Sequence, residues 1–309
     1  MPMCQQRHLS NFFAKITTLS NDLHKHMPLT KTPLRYPGGK SQLRPVVKSL
    51  IDRSSTDFAE YIEPFCGGSG IAMDLLLNKT VERVWINDLD QGIYSFWHAL
   101  VAEPDRLMRW IEDVPLTMTE WNRQREIIEG SENVSGYDFN LGAAYFFMSR
   151  TNRSGVIRGG VIGGKEQKGR YKLDCRFNKT RLLGLVRAIS SESDRIRVTN
   201  LNGLDVVTKP VFPDTQPESC LVYADPPYVQ KAEGLYMNFF EESDHVKLSY
   251  GLKNSLFPYW FATYDDDPLI RRLYSDHDPE NINVTYSAQV KRRAAELLIM
   301  SAQLRDTLV

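Results

Sequence analysis

The chain has 309 residues, 42% hydrophobic and 25% charged, an ordinary globular composition with room for one large domain or two smaller ones. Its 38 basic and 38 acidic side chains cancel, so global charge gives no support to a nucleic-acid partner and any basic surface must be local. The four cysteines (Cys4, Cys66, Cys175, Cys220) form no CxxC pair or His–Cys cluster, and no apolar run reaches membrane-spanning length, which argues against structural zinc, a secreted setting and a membrane role.

Residues 1–31 read as an N-terminal extension. Leu9, Phe12, Phe13, Ile16, Leu19 and Leu23 fall at helical spacing and predict one amphipathic helix packed on the body. Leu34–Lys40 follows as a Gly turn ending in a lysine ahead of a predicted helix. It lacks the spacing of a phosphate-binding GxxxxGK[ST] loop and by itself reads as an ordinary turn.

Glu60–Phe65 predicts a strand, and Gly67, Gly68 and Gly70 open a helix over Ile71–Asn78. Val81–Ile86 predicts a second strand ending at Asn87-Asp88, then a helix over Leu89–Val101. Strand, Gly loop, helix, strand, acid is the outline of a nucleoside-binding unit. The glycines let backbone amides approach a ligand, and Asp88 is spaced to accept two ribose hydroxyls. The competing role for Asp88 is an N-cap of the second helix.

From Glu103 the pattern turns helical, over Pro104–Glu112, Met118–Glu129 and Leu141–Ser149, then becomes a Gly-rich loop or hairpin over Gly155–Gly164. This predicts a mainly helical insert over 103–181, in a body of 32–102 and 182–309. Ten cations crowd its last part: Arg150, Arg153, Arg158, Lys165, Lys168, Arg170, Lys172, Arg176, Lys179 and Arg181, opposed only by Glu166 and Asp174. Such a run, with Asn152, Gln167, Tyr171, Phe177 and Asn178 interleaved, can grip phosphates and reach base edges; the plainer alternative is a solvated charged face.

Apolar strands follow at Arg195–Leu201, Ser219–Ala224, Pro258–Tyr264, Val284–Ser287 and Ala295–Ser301, with a helix over Asp244–Ser255. The whole predicts an α/β fold: a mostly parallel sheet covered on both faces, with one antiparallel pair at an edge. Asp225-Pro226-Pro227-Tyr228 ends the fourth strand. Prolines leave carbonyl acceptors without competing donors, and the tyrosine adds a stacking face. Together they suit a flat group bearing an amine, such as a nucleobase.

In this order and spacing, Tyr36–Lys40, Glu63–Gly70, Asp88, the basic insert and Asp225–Tyr228 resemble the Dam-like alpha group of DNA adenine-N6 methyltransferases. The resemblance runs from about Thr32 to about Ser301. Phe146–Gly155, Trp260–Asp265 and Glu296-Leu297-Leu298-Ile299 share it. It implies a Rossmann-like sheet binding S-adenosyl-L-methionine, with an antiparallel edge strand and an inserted DNA-recognition domain. It implies Tyr36, Lys40, Gly67, Gly68, Gly70, Asp88, Asn202 and Asp225 at the cofactor, and Asp225, Pro226 and Tyr228 in catalysis on an adenine flipped from double-stranded DNA. Asn202 stands where relatives often carry an aspartate. Arg150, Asn152, Arg153, Arg158, Lys165, Lys168 and Arg170 are the expected DNA contacts. No metal is implied. The implied setting is the cytoplasm of a prokaryote or a phage-infected cell, beside a cognate restriction endonuclease or in a phage or defence role. The rival expectations are methylation of another planar amine, in RNA or protein, and a catalytically weak DNA-binding homologue.

Overall fold

The computed structural model describes residues 30–132, 135–229, 240–286 and 292–308. The amphipathic helix expected before residue 26 lies outside them. Helix α1 (Arg44–Arg53) precedes β1 (Glu60–Glu63), α2 (Gly70–Leu77), β2 (Arg83–Asn87) and α3 (Gln91–Ala102). The middle of the chain supplies α4 (Pro104–Asp113), α5 (Met118–Glu129), α6 (Phe139–Thr151) and α7 (Lys179–Ser190). The chain then returns through β3 (Ile196–Thr199), α8 (Gly203–Thr208), β4 (Cys220–Ala224), α9 (Glu242–Lys253), β5 (Trp260–Asp265), α10 (Pro268–Leu273), β6 (Glu280–Tyr286), β7 (Arg292–Met300) and α11 (Ala302–Thr307).

The seven strands form one sheet in the order β3-β2-β1-β4-β5-β7-β6. The first five pair in parallel, and β7 runs antiparallel to both β5 and β6. The antiparallel pair expected at one edge is therefore β6 with β7, and the reversed strand β7 is one position in from it. Burial on both faces explains why these strands read as continuous apolar runs. In β4, Leu221 and Tyr223 join the core on one face, and Cys220, Val222 and Ala224 the core on the other.

The first of these cores does not stop at the sheet. It passes through Phe96 and Trp97 of α3 into Phe146 and Phe147 of α6, and on to Phe177. Helix α6 is apolar nearly all round, as a helix enclosed by protein must be. Phe96 and Phe146 stack with ring centroids 5.3 Å apart. A Cβ at Gly142 would lie 2.6 Å from the backbone nitrogen of Phe96, so only glycine allows this approach of α6 to α3. The helical middle of the chain thus has no core of its own. Arg181, where the insert was expected to end, sits in the first turn of α7, which continues to Ser190.

Candidate active site

Strand β1 leads to β2 and β3 on one side, while β4 lies on its other side, so strand order reverses between β1 and β4. In an open parallel sheet ligands bind in the crevice at the carboxyl ends of such strands. The Gly loop leaves β1 there and Asp225 leaves β4 there. Between them opens a cavity of about 670 Å³.

Glu63 ends β1 and turns inward. Its Oε2 accepts from the Ser69 hydroxyl (2.8 Å) and its Oε1 from the Ala72 amide (3.3 Å), which ties the loop to the start of α2. Burial pushes this carboxyl up to about 8. Gly67 has φ of +44°, and a Cβ there would lie 2.8 Å from the Tyr36 ring; one at Gly68 would lie 3.1 Å from the Tyr36 Cβ. These two glycines admit Tyr36 of the N-terminal Gly turn against the loop. Gly70 opens α2 and lines the cavity.

Asp88 is not the helix cap. Asp90 caps α3, accepting from the amides of Gly92 (2.9 Å) and Ile93 (3.1 Å). Asp88 instead accepts from the Gly67 amide (2.8 Å) and the Asp90 amide (3.0 Å), in the cavity wall. Burial, and then the charge of Asp90, push its carboxyl up to about 7. Asn87 holds the strand ends in place. Its amide donates to the carbonyls of Pro64 (2.9 Å) and Leu201 (3.0 Å), and its Oδ1 accepts from the Leu201 amide (2.8 Å). Asn202 lines the cavity while capping α8 through the Leu204 amide (2.9 Å).

Around Asp225 the side chains form a connected set. Lys40, which is buried, donates to Asp225 Oδ1 (2.8 Å), lies 3.2 Å from Glu296 Oε1 and also donates to the Tyr228 hydroxyl. The Tyr228 hydroxyl donates to Glu296 Oε1 (2.5 Å). Thr263 on β5 donates to Asp225 Oδ1 (2.8 Å). That uses its one hydrogen, so the Tyr223 hydroxyl at 2.8 Å must be the donor to Thr263. The lysine ammonium is held well above its ordinary value: Asp225 and Glu296 outweigh the cost of burying it. Burial pushes the Glu296 carboxyl up, against the pull of Lys40. Pro226 is buried and Tyr228 half-buried in the same wall. The arrangement can present an acceptor and an aromatic face to a flat amine, with the Asp88 carboxylate in the wall of the same cavity.

Every residue expected at the cofactor or in catalysis lines this one cavity. Glu296 and Thr263 were not foreseen as site residues. The signal for Glu296 was one carboxylate inside the apolar run Ala294–Met300, since a charge on a strand buried on both faces needs a partner.

The expected DNA contacts divide. Arg153, Arg158, Lys165, Lys168 and Arg170 are exposed. Tyr171 is 59% exposed, with the Arg170 guanidinium 5.5 Å from its ring centroid. Asn152 is fully buried and is corrected to a framework residue. It accepts from the Trp121 indole (2.7 Å) and donates to the carbonyls of Val156 (2.9 Å) and Ile157 (2.8 Å), pinning the Gly-rich loop to α5. Arg150 is likewise turned inward, donating through Nε to the Pro33 carbonyl (2.6 Å) and through Nη2 to that of Thr32 (3.3 Å). The hairpin expected in the Gly-rich segment is reduced to one bridge, Asn152 to Val161, with turns on either side.

The model of the D12 class N6 adenine-specific DNA methyltransferase family matches residues 36–289. Among curated proteins, the Type II methyltransferase M.MjaIII of Methanocaldococcus jannaschii is 23% identical over 238 residues, 70% of this chain and 77% of that protein. Two solved structures of the rRNA methyltransferase aviRa from Streptomyces viridochromogenes are 15% identical to it. They give TM-scores of 0.37 and 0.36, cover 88% and 87% of this chain and match 89% and 88% of their own. Those scores are too low to bear on fold or substrate. The family match spans most of the sheet and every cofactor and catalytic residue expected from sequence. The chain belongs to the D12 class N6 adenine-specific DNA methyltransferase family and is an adenine-specific DNA methyltransferase.

Proposed function

We propose that the enzyme takes its methyl group from S-adenosyl-L-methionine and delivers it to the exocyclic amine of an adenine flipped out of double-stranded DNA at a specific site. One observation carries this reading: Asp225 and the Gly loop with Asp88 face one cavity from adjacent strand ends. The donor set fits the cofactor. Asp88 would offer a carboxylate to the ribose hydroxyls, Tyr36 and the loop glycines would hold the methionine part, and Asn202 would meet the adenine. When bound, the cofactor supplies an electrophilic methyl group on a sulfonium.

The adenine amine is a poor nucleophile because its lone pair is delocalised into the ring. Acceptance of its two hydrogens by the Asp225 carboxylate and the Pro226 carbonyl favours a pyramidal nitrogen with a freer lone pair. Lys40 and Thr263 both bind Asp225 Oδ1, which fixes the carboxylate and leaves Oδ2 for the amine. Tyr228 stacks on the base, and its hydroxyl, tied to Glu296, sets the ring's angle. Asp225 acts by positioning and electrostatics rather than as a strong base. After transfer the nitrogen is cationic and acidic, so even a weak base suffices: its proton passes to the Asp225 carboxylate it already donates to, and from there to solvent. Flipping costs a few kcal/mol, which stacking and the two hydrogen bonds offset.

Residues 103–181 serve as the target-recognition segment in this reading, with Arg153, Arg158, Lys165, Lys168 and Arg170 meeting DNA. The setting in this reading is restriction-modification in the cytoplasm beside a cognate endonuclease; the Type II naming of the curated relative is consistent with the restriction-modification part. Incubation with S-adenosyl-L-methionine and random-sequence duplex DNA should yield N6-methyladenine at one sequence context. Methylation of RNA alone, or none with the cofactor present, would overturn the reading.

The raised Asp88 carboxyl sets a pH dependence. The ionised form is the better acceptor for ribose hydroxyls, so below about pH 7 binding must first expel a proton. Cofactor affinity should be level above that pH and fall by up to about tenfold per unit below it. Calorimetric titration with S-adenosylhomocysteine across the range checks this, and Asp88→Asn should abolish the dependence. A level affinity down to about pH 5.5 would show that the ionised carboxylate is not what binds.

A further inference from the structure

Four arginines line the same rim of the cavity: Arg35 from the N-terminal Gly turn, Arg150 from α6, and Arg176 and Arg181 from the approach to α7 and its first turn. Among the described residues none of them pairs with a carboxylate; the nearby cations Lys31 and Arg44 both pair with Asp74. The hydrogen bonds of Arg150 and Arg181 go to backbone carbonyls, those of Thr32, Pro33 and Thr30. The Arg35 Nη1 is buried and has no hydrogen-bond partner among the described residues. Burial, then Arg35, Arg181 and Arg176, lower the Arg150 guanidinium to about 9, and burial and Arg176 lower Arg35 as well.

Clustered like charges destabilise a fold unless an anion completes them. The cluster is also held rigidly. The Arg35 amide donates to the Ser149 hydroxyl (3.4 Å), and a Cβ at Gly155 would lie 2.7 Å from the Arg35 carbonyl oxygen, so the end of α6 and this glycine clamp the Arg35 backbone.

We propose that Arg35, Arg150, Arg176 and Arg181 form an oxyanion subsite that receives a phosphodiester of the DNA backbone next to the flipped adenosine. The inference rests on reading the cavity as the site of a flipped adenine. The other oxyanion at hand is the carboxylate of the cofactor's amino-acid end. That carboxylate shares a carbon with an ammonium, which four guanidiniums repel; a phosphodiester brings a lone negative charge. Arginine is also the side chain that best matches a phosphate with paired donors. The cluster grades from half-buried Arg35 and Arg150 to exposed Arg176 and Arg181, as a strand entering from the exposed basic face requires. A flipped nucleotide must carry its two phosphates to the cavity mouth, and this rim is where an anion is met.

The test uses the full enzyme and a duplex containing its mapped site. In separate duplexes, the phosphate on either side of the target adenine is replaced by a neutral methylphosphonate. Affinity of the wild type should fall about tenfold or more for one of them. Arg35→Gln should lose a similar factor on the natural duplex and little more on the neutralised one. Arg176→Gln, at an exposed position, provides the same comparison should Arg35→Gln fold poorly. Additive losses, or no effect at either phosphate, overturn the subsite. Weakened S-adenosyl-L-methionine binding with unchanged DNA affinity overturns it too and assigns the cluster to the cofactor carboxylate. Methylation of the natural duplex by the wild type is read alongside: its presence with an insensitive phosphate sinks the subsite alone, and its absence sinks the flipped-adenine reading and the subsite together.

Discussion

Asp225→Ala should lower methyl transfer at least about 10³-fold while duplex affinity stays within about twofold. The carboxylate is the acceptor that frees the adenine lone pair, and nothing beside it can replace it. Lys40 is a donor and the Tyr228 hydroxyl already donates to Glu296. The variant should fold, because Lys40 keeps Glu296 as a counter-charge 3.2 Å away. Asp225→Asn separates charge from shape. Its Oδ1 still accepts from Thr263 and Lys40, but its amide presents hydrogens to an amine that needs acceptors. Single-turnover methylation at saturating cofactor, with duplex binding measured in parallel, gives the answer. Turnover near that of the wild type in either variant would remove Asp225 from the chemistry.

Glu296→Ala is the second large effect, of about 10²-fold or more on single-turnover methylation. Two groups lose their anchor together. The Tyr228 hydroxyl loses the carboxylate it donates to and keeps its contact with Lys40, so the stacking ring is held less firmly. Lys40 loses one of two carboxylates in a buried setting, where removing one partner of an ion pair costs about 3–5 kcal/mol. Glu296→Gln keeps the volume and one acceptor oxygen. It should retain the fold and most of the cofactor affinity and still turn over more slowly than the wild type. A melt together with the single-turnover rate distinguishes loss of fold from loss of positioning. An alanine variant with unchanged rate and melting temperature would make Glu296 a bystander.

The strands and most helices were legible because each carries a local pattern. Parallel strands buried on both faces read as apolar runs, and α5 was bounded by a Thr117 cap and Gly130. The helix α7 after the basic stretch and the short helices α8, α10 and α11 went unread. Lys179–Ser190 begins among the cations and looked like the tail of a charged loop. The competing assignments for Asp88 were also beyond local pattern. A carboxylate two residues before a helix cap and one at the cap look alike in sequence, and only the direction of the Gly67 amide separates them. Asn152 shows the opposite failure. An amide among cations resembles a base-reading group, yet tertiary packing turned it onto Trp121.

The sequence by itself determined which chemical groups the enzyme has and which strand ends carry them. Glycines, a spaced carboxylate and Asp225–Tyr228 need particular residue types at particular offsets, and offsets are written in the chain. Only the tertiary structure decided which of them meet. Residues 40, 225, 228, 263 and 296 come from four separate stretches, joined because β4 pairs with β1 and β5, and β7 turns back against β5. The same holds for the four arginines at the rim. A charge's partner depends on what lies within a few ångströms in space, and sequence separation carries no such distance.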